Sequence, residues 1–253
     1  MTPRVVLTIA GSDSGGGAGI QADLKTFAAL GAYGASVVTA ITAQNTLGVT
    51  AIHPVPAEVV AAQLDAVLAD LPVAAVKVGM IGDPAVAEVI ASRVADLPNL
   101  VVDPVLVATS GARLANVASV AALVAYPCVL TPNRQEAGAL LGETAVGTVE
   151  EMRSAAARLA ARGPRAVVVT GSELAVDVLC HGGETVVLRG EPVATANNHG
   201  SGCTFSSAIA VWLAAGYSVP DAVGKAKEYV TVALRGGSAW RLGAGPGPLN
   251  HFA

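Results

Sequence analysis

Charge is scarce in this chain. Only 13% of its 253 residues are Asp, Glu, Lys or Arg, about half the share of a typical soluble domain. That leaves either a sparsely charged surface or a surface partly buried by association, and on the second reading a homodimer is expected. There is no basic run and the formal net charge is −4, which argues against nucleic acid as a partner. No apolar stretch reaches the length of a membrane span, because Gly, Pro or charge interrupts each one. The opening MTPRVVLTIAGSD lacks the charged region, long apolar segment and small-residue cleavage site of an export signal. Cys128, Cys180 and Cys203 are too scattered for a disulfide framework or a zinc pattern. A cytoplasmic protein with no membrane and no nucleic-acid partner is expected.

What the chain does have is apolar mass, 53% of its residues, enough for a large core. Short β-rich runs alternate with longer Ala-rich segments of helical period, the pattern of a mostly parallel sheet covered by helices. Strands are expected over 4–10, 35–42, 75–78, 100–102, 128–130 and 166–169. Helices are expected over 20–30, 57–71, 84–95, 117–124, 134–141, 149–161, 203–215 and 221–234. Thr148 and Glu151 have the spacing of a capping box, and Ser218, Pro220 and Asp221 that of a helix start. Gly182-Gly183 between two alternating runs, 176–181 and 184–189, reads as an antiparallel hairpin at the sheet edge. No linker or repeat intervenes, so one α/β domain over 1–253 is expected.

Two glycine-rich loops stand out. GSDSGGGAGIQADLKT (11–26) follows the first strand, and Gly11, Gly15, Gly16, Gly17 and Gly19 let a ligand approach the backbone. It fails as a Walker A loop, having no Gly-Lys-Ser/Thr ending, and as a dinucleotide fingerprint, having Ile20 where a third glycine belongs. Its Asp13 and Asp23 would repel a phosphate. Asp23, one turn past Gly19, either faces the loop mouth, where a carboxylate suits a hydroxyl or amine donor, or stabilises the positive end of its helix. The second loop, NNHGSGCTFS (197–206), opens another helix without any carboxylate. Backbone N–H groups around Gly200, Ser201, Gly202 and Cys203 form an anion hole there. The helix dipole is expected to lower the Cys203 thiol pKa, making a thiolate base or nucleophile. His199 reads as a local cap.

Asp103 and, further on, Asn133 and Glu136 follow apolar strands, at the sheet end where open α/β folds bind ligands. They are hard oxygen ligands suited to Mg²⁺, or else a turn cap and a helix start. Anion hole, carboxylates and base together describe a phosphoryl-transfer site.

In that setting the motifs AGSDSGGGAGIQADLKTF (10–27), VVTAITAQNTLGV (37–49), VKVGMIG (76–82), VVDPVLVATSG (101–111), TPNRQEAGALLG (131–142) and NNHGSGCTFSSAIA (197–210), with AKEYV (226–230) and GPLNHF (247–252), carry a resemblance from end to end. The chain resembles the hydroxymethylpyrimidine/phosphomethylpyrimidine kinases of thiamine biosynthesis, a branch of the ribokinase-like family. The resemblance implies a ribokinase-like domain that uses ATP and Mg²⁺. The γ-phosphoryl would pass to the hydroxymethyl group of 4-amino-5-hydroxymethyl-2-methylpyrimidine, and a second one to the monophosphate. It places Gly11, Asp23, Gln44, Met80 and Val107 around the pyrimidine and Cys203 at the acceptor hydroxyl. Asp103 and Glu136 would stand near Mg²⁺, and Ser201, Asn133 and Lys227 near the nucleotide. A Gln44 amide, at once donor and acceptor, matches a ring nitrogen beside an exocyclic amine. Thr109 and Thr170 stand where the family commonly has lysines, and Pro246 where a His is common. Two rivals follow: a vitamin B6 (pyridoxal) kinase, and a pyrimidine-binding protein with weakened use of ATP.

Overall fold

The computed structural model describes residues 2–106, 117–144 and 146–253. Valine-rich runs become strands of one nine-stranded sheet. In chain order these are β1 (Val5–Asp13), β2 (Tyr33–Asn45), β3 (Gly48–Pro54), β4 (Val73–Val78), β5 (Val101–Val102), β6 (Val129–Leu130), β7 (Ala166–Gly171), β8 (Val176–His181) and β9 (Glu184–Arg189). Their order across the sheet is β3-β2-β1-β4-β5-β6-β7-β8-β9. The six from β2 to β7 are parallel neighbours, while β3 at one edge and β8 and β9 at the other run antiparallel. The expected hairpin is β8–β9. The antiparallel β3 is an addition, since GVTAIHP is short, mostly exposed and ends in Pro.

Eight α-helices are described: α1 (Gly19–Ala29), α2 (Ala57–Asp70), α3 (Pro84–Ser92), α4 (Val117–Val124), α5 (Arg134–Leu141), α6 (Val149–Ala160), α7 (Ser201–Ala214) and α8 (Val219–Gly237). Strand side chains alternate between two cores, as the pleat requires. Leu7, Val102, Leu130 and Val167 face the layer that holds α2 to α6. Val6, Val101, Val129 and Val168 face the layer of α1, α7 and α8. Thr148 caps α6 in a capping box and Ser218 caps α8, as their spacing predicts. The buried Met152, Ala155, Ala156 and Leu159 of α6 recur at the spacing of one helix face. Helix α7 is different. Ten of its residues, from Thr204 to Ala214, are buried, because it lies on the sheet and is flanked by α1 and α8. Its Ala and Ser side chains permit that close approach.

The last residues return to the start of α7. Asn197 donates to the Gly237 and Trp240 carbonyls and accepts from the Gly247 N–H, while the His199 N–H donates to the Gly247 carbonyl. His251 is buried, and its Nε2 lies 3.1 Å from Thr204 Oγ1. That hydroxyl also donates to the Gly200 carbonyl. Burial, and then the Lys25 charge, push His251 from 6.5 down to about 4, against the opposing pull of Asp23 and the Leu249 backbone. A histidine kept neutral by folding leaves the unfolded chain holding the extra proton between those values. Its contribution is therefore complete above pH 6.5 and is lost as pH falls toward 4, at no more than about 1.4 kcal/mol per unit. Thermal melts from pH 7 to pH 4.5 are expected to fall more steeply for the native chain than for His251→Gln.

Candidate active site

The carboxyl ends of β1, β4, β5, β6 and β7 meet the N-terminus of α7 around a cavity of about 980 Å³. This is the position in which open parallel sheets gather ligands. Gly11, Gln44, Met80, Asp103, Glu136 and Cys203 line it, from six separate segments.

The first glycine loop is organised by its own aspartate. The buried Asp13 carboxylate accepts the N–H groups of Gly15 (2.8 Å), Gly17 (3.0 Å) and Ala18 (2.8 Å), and its Oδ2 also lies 3.0 Å from His199 Nε2. Burial raises its pKa, but the His199 contact and the backbone N–H groups outweigh that and hold it below the usual value. The charge that looked ill-suited to a phosphate is thus spent inside the loop. Gly11 sits where β1 and β2 shift register. A side chain there would come within 2.9 Å of Met80 Sδ, so glycine lets the methionine lie over the backbone. Gln44 is half-buried. Ser14 holds its backbone on both sides, Thr42 donates to its Oε1, and its Nε2 lies 3.4 Å from His199 Nε2.

Asp23 goes elsewhere. It is fully buried beneath the loop, where it accepts from Lys77 Nζ (2.9 Å to each oxygen), Thr8 Oγ1 (2.6 Å) and Ser207 Oγ (2.7 Å). Helical spacing places it on the inward face of α1. It does not decide whether that face opens to the cavity or meets a lysine from β4, and the lysine fills it. Asp23 is absent from the cavity wall.

At the second loop, Gly200 is the N-cap of α7 with φ +85°, and a Cβ on it would run into the Gly17 carbonyl oxygen. The two loops are therefore in contact. His199 fills the space beside Gly17, where a Cβ would strike its ring. It bridges the loops instead of merely capping its own turn. The Ser201 N–H is taken by the Asn198 carbonyl. Among the described residues, no protein acceptor takes the N–H groups of Gly200, Gly202 or Cys203. With no acid in the first turn of α7, these are the groups of an anion hole.

Cys203 departs from its expected electrostatics. Burial pushes its thiol up to about 12, with the carboxylates of Asp103 and Asp23 adding to the effect and Lys77 opposing it. The dipole of α7 is outweighed, and the resting side chain is a thiol hydrogen-bonded to Asp103. Asp103 is also raised, first by burial, with Asp23 adding and Lys77 and the Ser206 and Cys203 hydrogen bonds opposing. Glu136 is pushed up to about 8 by burial and by Asp103, against backbone bonds from Asn133 and Leu106. Asn133 and Glu136 form a capping box on α5, so both are a helix start and a cavity wall. Two buried carboxylates, both raised and one by the other, are a natural cation position. Among the described residues no group of three or more His, Cys, Asp or Glu could hold a metal. Mg²⁺ suits such a pair, since it takes one or two carboxylates and completes its shell with water and phosphate oxygens.

At the far end of the cavity Lys227 and Thr170 share the wall. Lys227 Nζ is 2.6 Å from Asp177 Oδ2, and the other Asp177 oxygen accepts the Gly171 N–H. Val107 and Thr109 lie outside the described residues. The structure thus brings Gly11, Gln44, Met80, Asn133, Lys227, Asp103, Glu136 and residues 200–203 to one cavity and leaves Asp23 below it. Lys77 and His199 are the additions. A lysine inside the apolar alternation VAAVKVG (73–79) was the available signal for the first.

The profile of the phosphomethylpyrimidine kinase family matches residues 13–250. A hydroxymethylpyrimidine/phosphomethylpyrimidine kinase of Rhizobium meliloti is 48% identical over 98% of this chain and 97% of its own. Among solved structures, a phosphomethylpyrimidine kinase of Clostridium difficile 630 superposes with TM-score 0.79 at 40% identity, covering 91% of this chain and 99% of its own. An ADP complex of Bacillus subtilis pyridoxal kinase superposes with TM-score 0.89 at 36% identity, covering 99% and 98%.

Contact between the two loops depends on the absence of two side chains. Gly200→Ala must adopt a left-handed backbone and also displace Gly17, so a loss of roughly 2 kcal/mol or more is expected in denaturant melts. Gly17→Ala, which crowds His199 from the other side, is expected to be destabilised as well. Unchanged midpoints for both would contradict the contact.

Proposed function

The chain belongs to the phosphomethylpyrimidine kinase family, and from that premise we propose how its own residues phosphorylate 4-amino-5-hydroxymethyl-2-methylpyrimidine and then its monophosphate. The observation that carries the proposal is the meeting of the first glycine loop with the anion hole of α7 at one cavity. A neutral acceptor belongs on the first loop, between Met80 and Gln44. Asp13 takes the His199 hydrogen, so at 3.4 Å the Gln44 amide faces another donor. Its hydrogens are left for a ring nitrogen of the substrate. Transferred charge belongs at Gly200, Gly202 and Cys203, where free N–H groups lie ready before any phosphate arrives. Ser201, Asn133 and Lys227 line the nucleotide side.

Cys203 is the catalytic residue at the acceptor hydroxyl. As a thiol it must lose its proton before the transfer, and Asp103, which accepts its hydrogen bond, orients the sulfur. Sulfur can then take the hydroxyl proton as the new O–P bond forms. In phosphoryl transfer the proton leaves late and positioning does most of the work. Asp103 and Glu136 would hold Mg²⁺, which supplies neutralisation of the phosphate charge.

Likeness to a pyridoxal kinase motivates a second alcohol as substrate. Lys227 tied to Asp177, and Thr170 on the same wall, motivate the rival of weak ATP use. One coupled ADP-release assay separates all three. Turnover is expected with the pyrimidine alcohol and to exceed that with pyridoxal; faster pyridoxal turnover, or binding without turnover, would replace the proposal. Cys203→Ala is expected to lower kcat by roughly 100-fold or more, in the range of a lost general base.

Ile41, Leu47 and Ile52 are exposed on or beside the β3 edge, and with so little surface charge they support a homodimer. Sedimentation velocity is expected to give twice the 25.0 kDa chain mass; a single monomeric boundary would contradict it. Three unpaired cysteines, and the lack among described residues of any helix long and apolar enough to cross a membrane, support a cytoplasmic setting.

A further inference from the structure

In the cavity floor lies a charged group to which the chemistry above gives no task. Lys77, in β4, has no solvent exposure, and its ammonium sits 2.9 Å from each oxygen of Asp23 in α1. Thr8 of β1 and Ser207 of α7 donate to the same carboxylate. Four elements thus converge on one fully buried anion. Room for the ammonium is kept by Gly79, where a Cβ would come within 2.8 Å of Lys77 Nζ.

A buried ion pair is poor evidence for stability, because the loss of hydration offsets most of the attraction. It is better suited to fixing geometry. Ser207 stands four residues after Cys203, one turn along the same face of α7. Its neighbour Ser206 donates to Asp103 at 3.2 Å. Helix α7 is therefore held at adjacent side chains by two carboxylates from different elements, contacts that constrain its rotation about its own axis. Phe205, Ile209, Val211 and Leu213 seat α7 in its core layer, and the two carboxylates add directional contacts on the face that carries Cys203.

We propose that Lys77 and Asp23 are positioning residues for the reaction: through Ser207 they fix the rotation of α7 and so hold Cys203 at the acceptor hydroxyl. The proposal rests on the assignment of Cys203 above. Among the described residues, Lys77 is also the positive charge that acts on both Cys203 and Asp103. Its ammonium shares the Asp23 carboxylate with the hydroxyls of Thr8 and Ser207.

The test uses the full-length enzyme, with ATP and the pyrimidine alcohol as substrates. Lys77→Met combined with Asp23→Asn removes both charges at similar volume and leaves no buried ion unpaired. Ser207→Ala removes only the link to α7. The double variant is expected to lower kcat by about 100-fold, and Ser207→Ala by about 10-fold, as for small displacements of a reacting group. Both KM values should stay within about threefold of the parent's, since Gly11, Gln44, Met80, Asn133 and Lys227 of the cavity wall are untouched. In a Cys203→Ala background the same changes should alter the residual kcat by less than about threefold, because residues that act as a unit are not additive. A lowered Tm with full kcat would make the pair merely structural and overturn the proposal, as would losses that multiply fully in the Cys203→Ala background. Should the double variant not fold, Ser207→Ala decides alone, and a full rate there overturns the proposal. Full activity of Cys203→Ala would overturn the assignment of the base together with this proposal. A slow Cys203→Ala beside a full-rate Ser207→Ala would overturn this proposal alone.

Discussion

Everything at the site depends on one carboxylate. Asp13 gathers three backbone N–H groups of its own loop and the His199 ring, 186 residues away, into a single buried cluster. That cluster shapes the first glycine loop and pins it against the second. Gly17 and Gly200 make the contact possible because a side chain on either would push the loops apart. The acceptor side and the charge-receiving side of the cavity become neighbours as a result. An aspartate exposed to solvent would face a phosphate as a repelling charge. This one is held below its usual pKa by partners within the protein and has no need of a ligand's donors.

Of the carboxylates around and beneath the cavity, Asp13, Asp23, Asp103 and Glu136 divide by their partners into two kinds. Asp13 and Asp23 are saturated, the first by N–H groups and a histidine, the second by an ammonium and two hydroxyls. Asp103 and Glu136 are not. Burial raises both, Asp23 adds to the rise at Asp103 and Asp103 to that at Glu136, and among the described residues neither forms an ion pair with a cation of the protein. The saturated pair therefore builds structure, and the unsaturated pair is left for a positive charge that arrives with the phosphates. Cys203 lies between the two kinds, bonded to Asp103 and influenced by Lys77.

Much of this was legible beforehand. Valine runs that become parallel strands buried on both faces announce themselves in composition, and so do caps such as Thr148 and Ser218. The order β1-loop-α1 and the glycines before α7 were readable because turn chemistry is local. Misreadings came where a partner distant in sequence decides the outcome. Asp23 has the spacing of a loop-facing acid, but Lys77, 54 residues on, claims it. The Cys203 thiol has the dipole of α7 at hand, yet the carboxylates of other elements and burial outweigh it. His199 is unremarkable in its own turn and becomes a bridge only when residues 13 and 17 fold against it. The edge strand β3 was missed because its side chains are nearly all exposed and carry no inward period.

The most direct test of the division between an acceptor loop and a charge-receiving loop is time-resolved phosphorus NMR of the enzyme with Mg-ATP and the pyrimidine alcohol. The expected result is a phosphomonoester signal that grows with ADP and is then replaced by the paired signals of an organic diphosphate. Release of inorganic phosphate alone, or ATP left unchanged while the alcohol is bound, would contradict it.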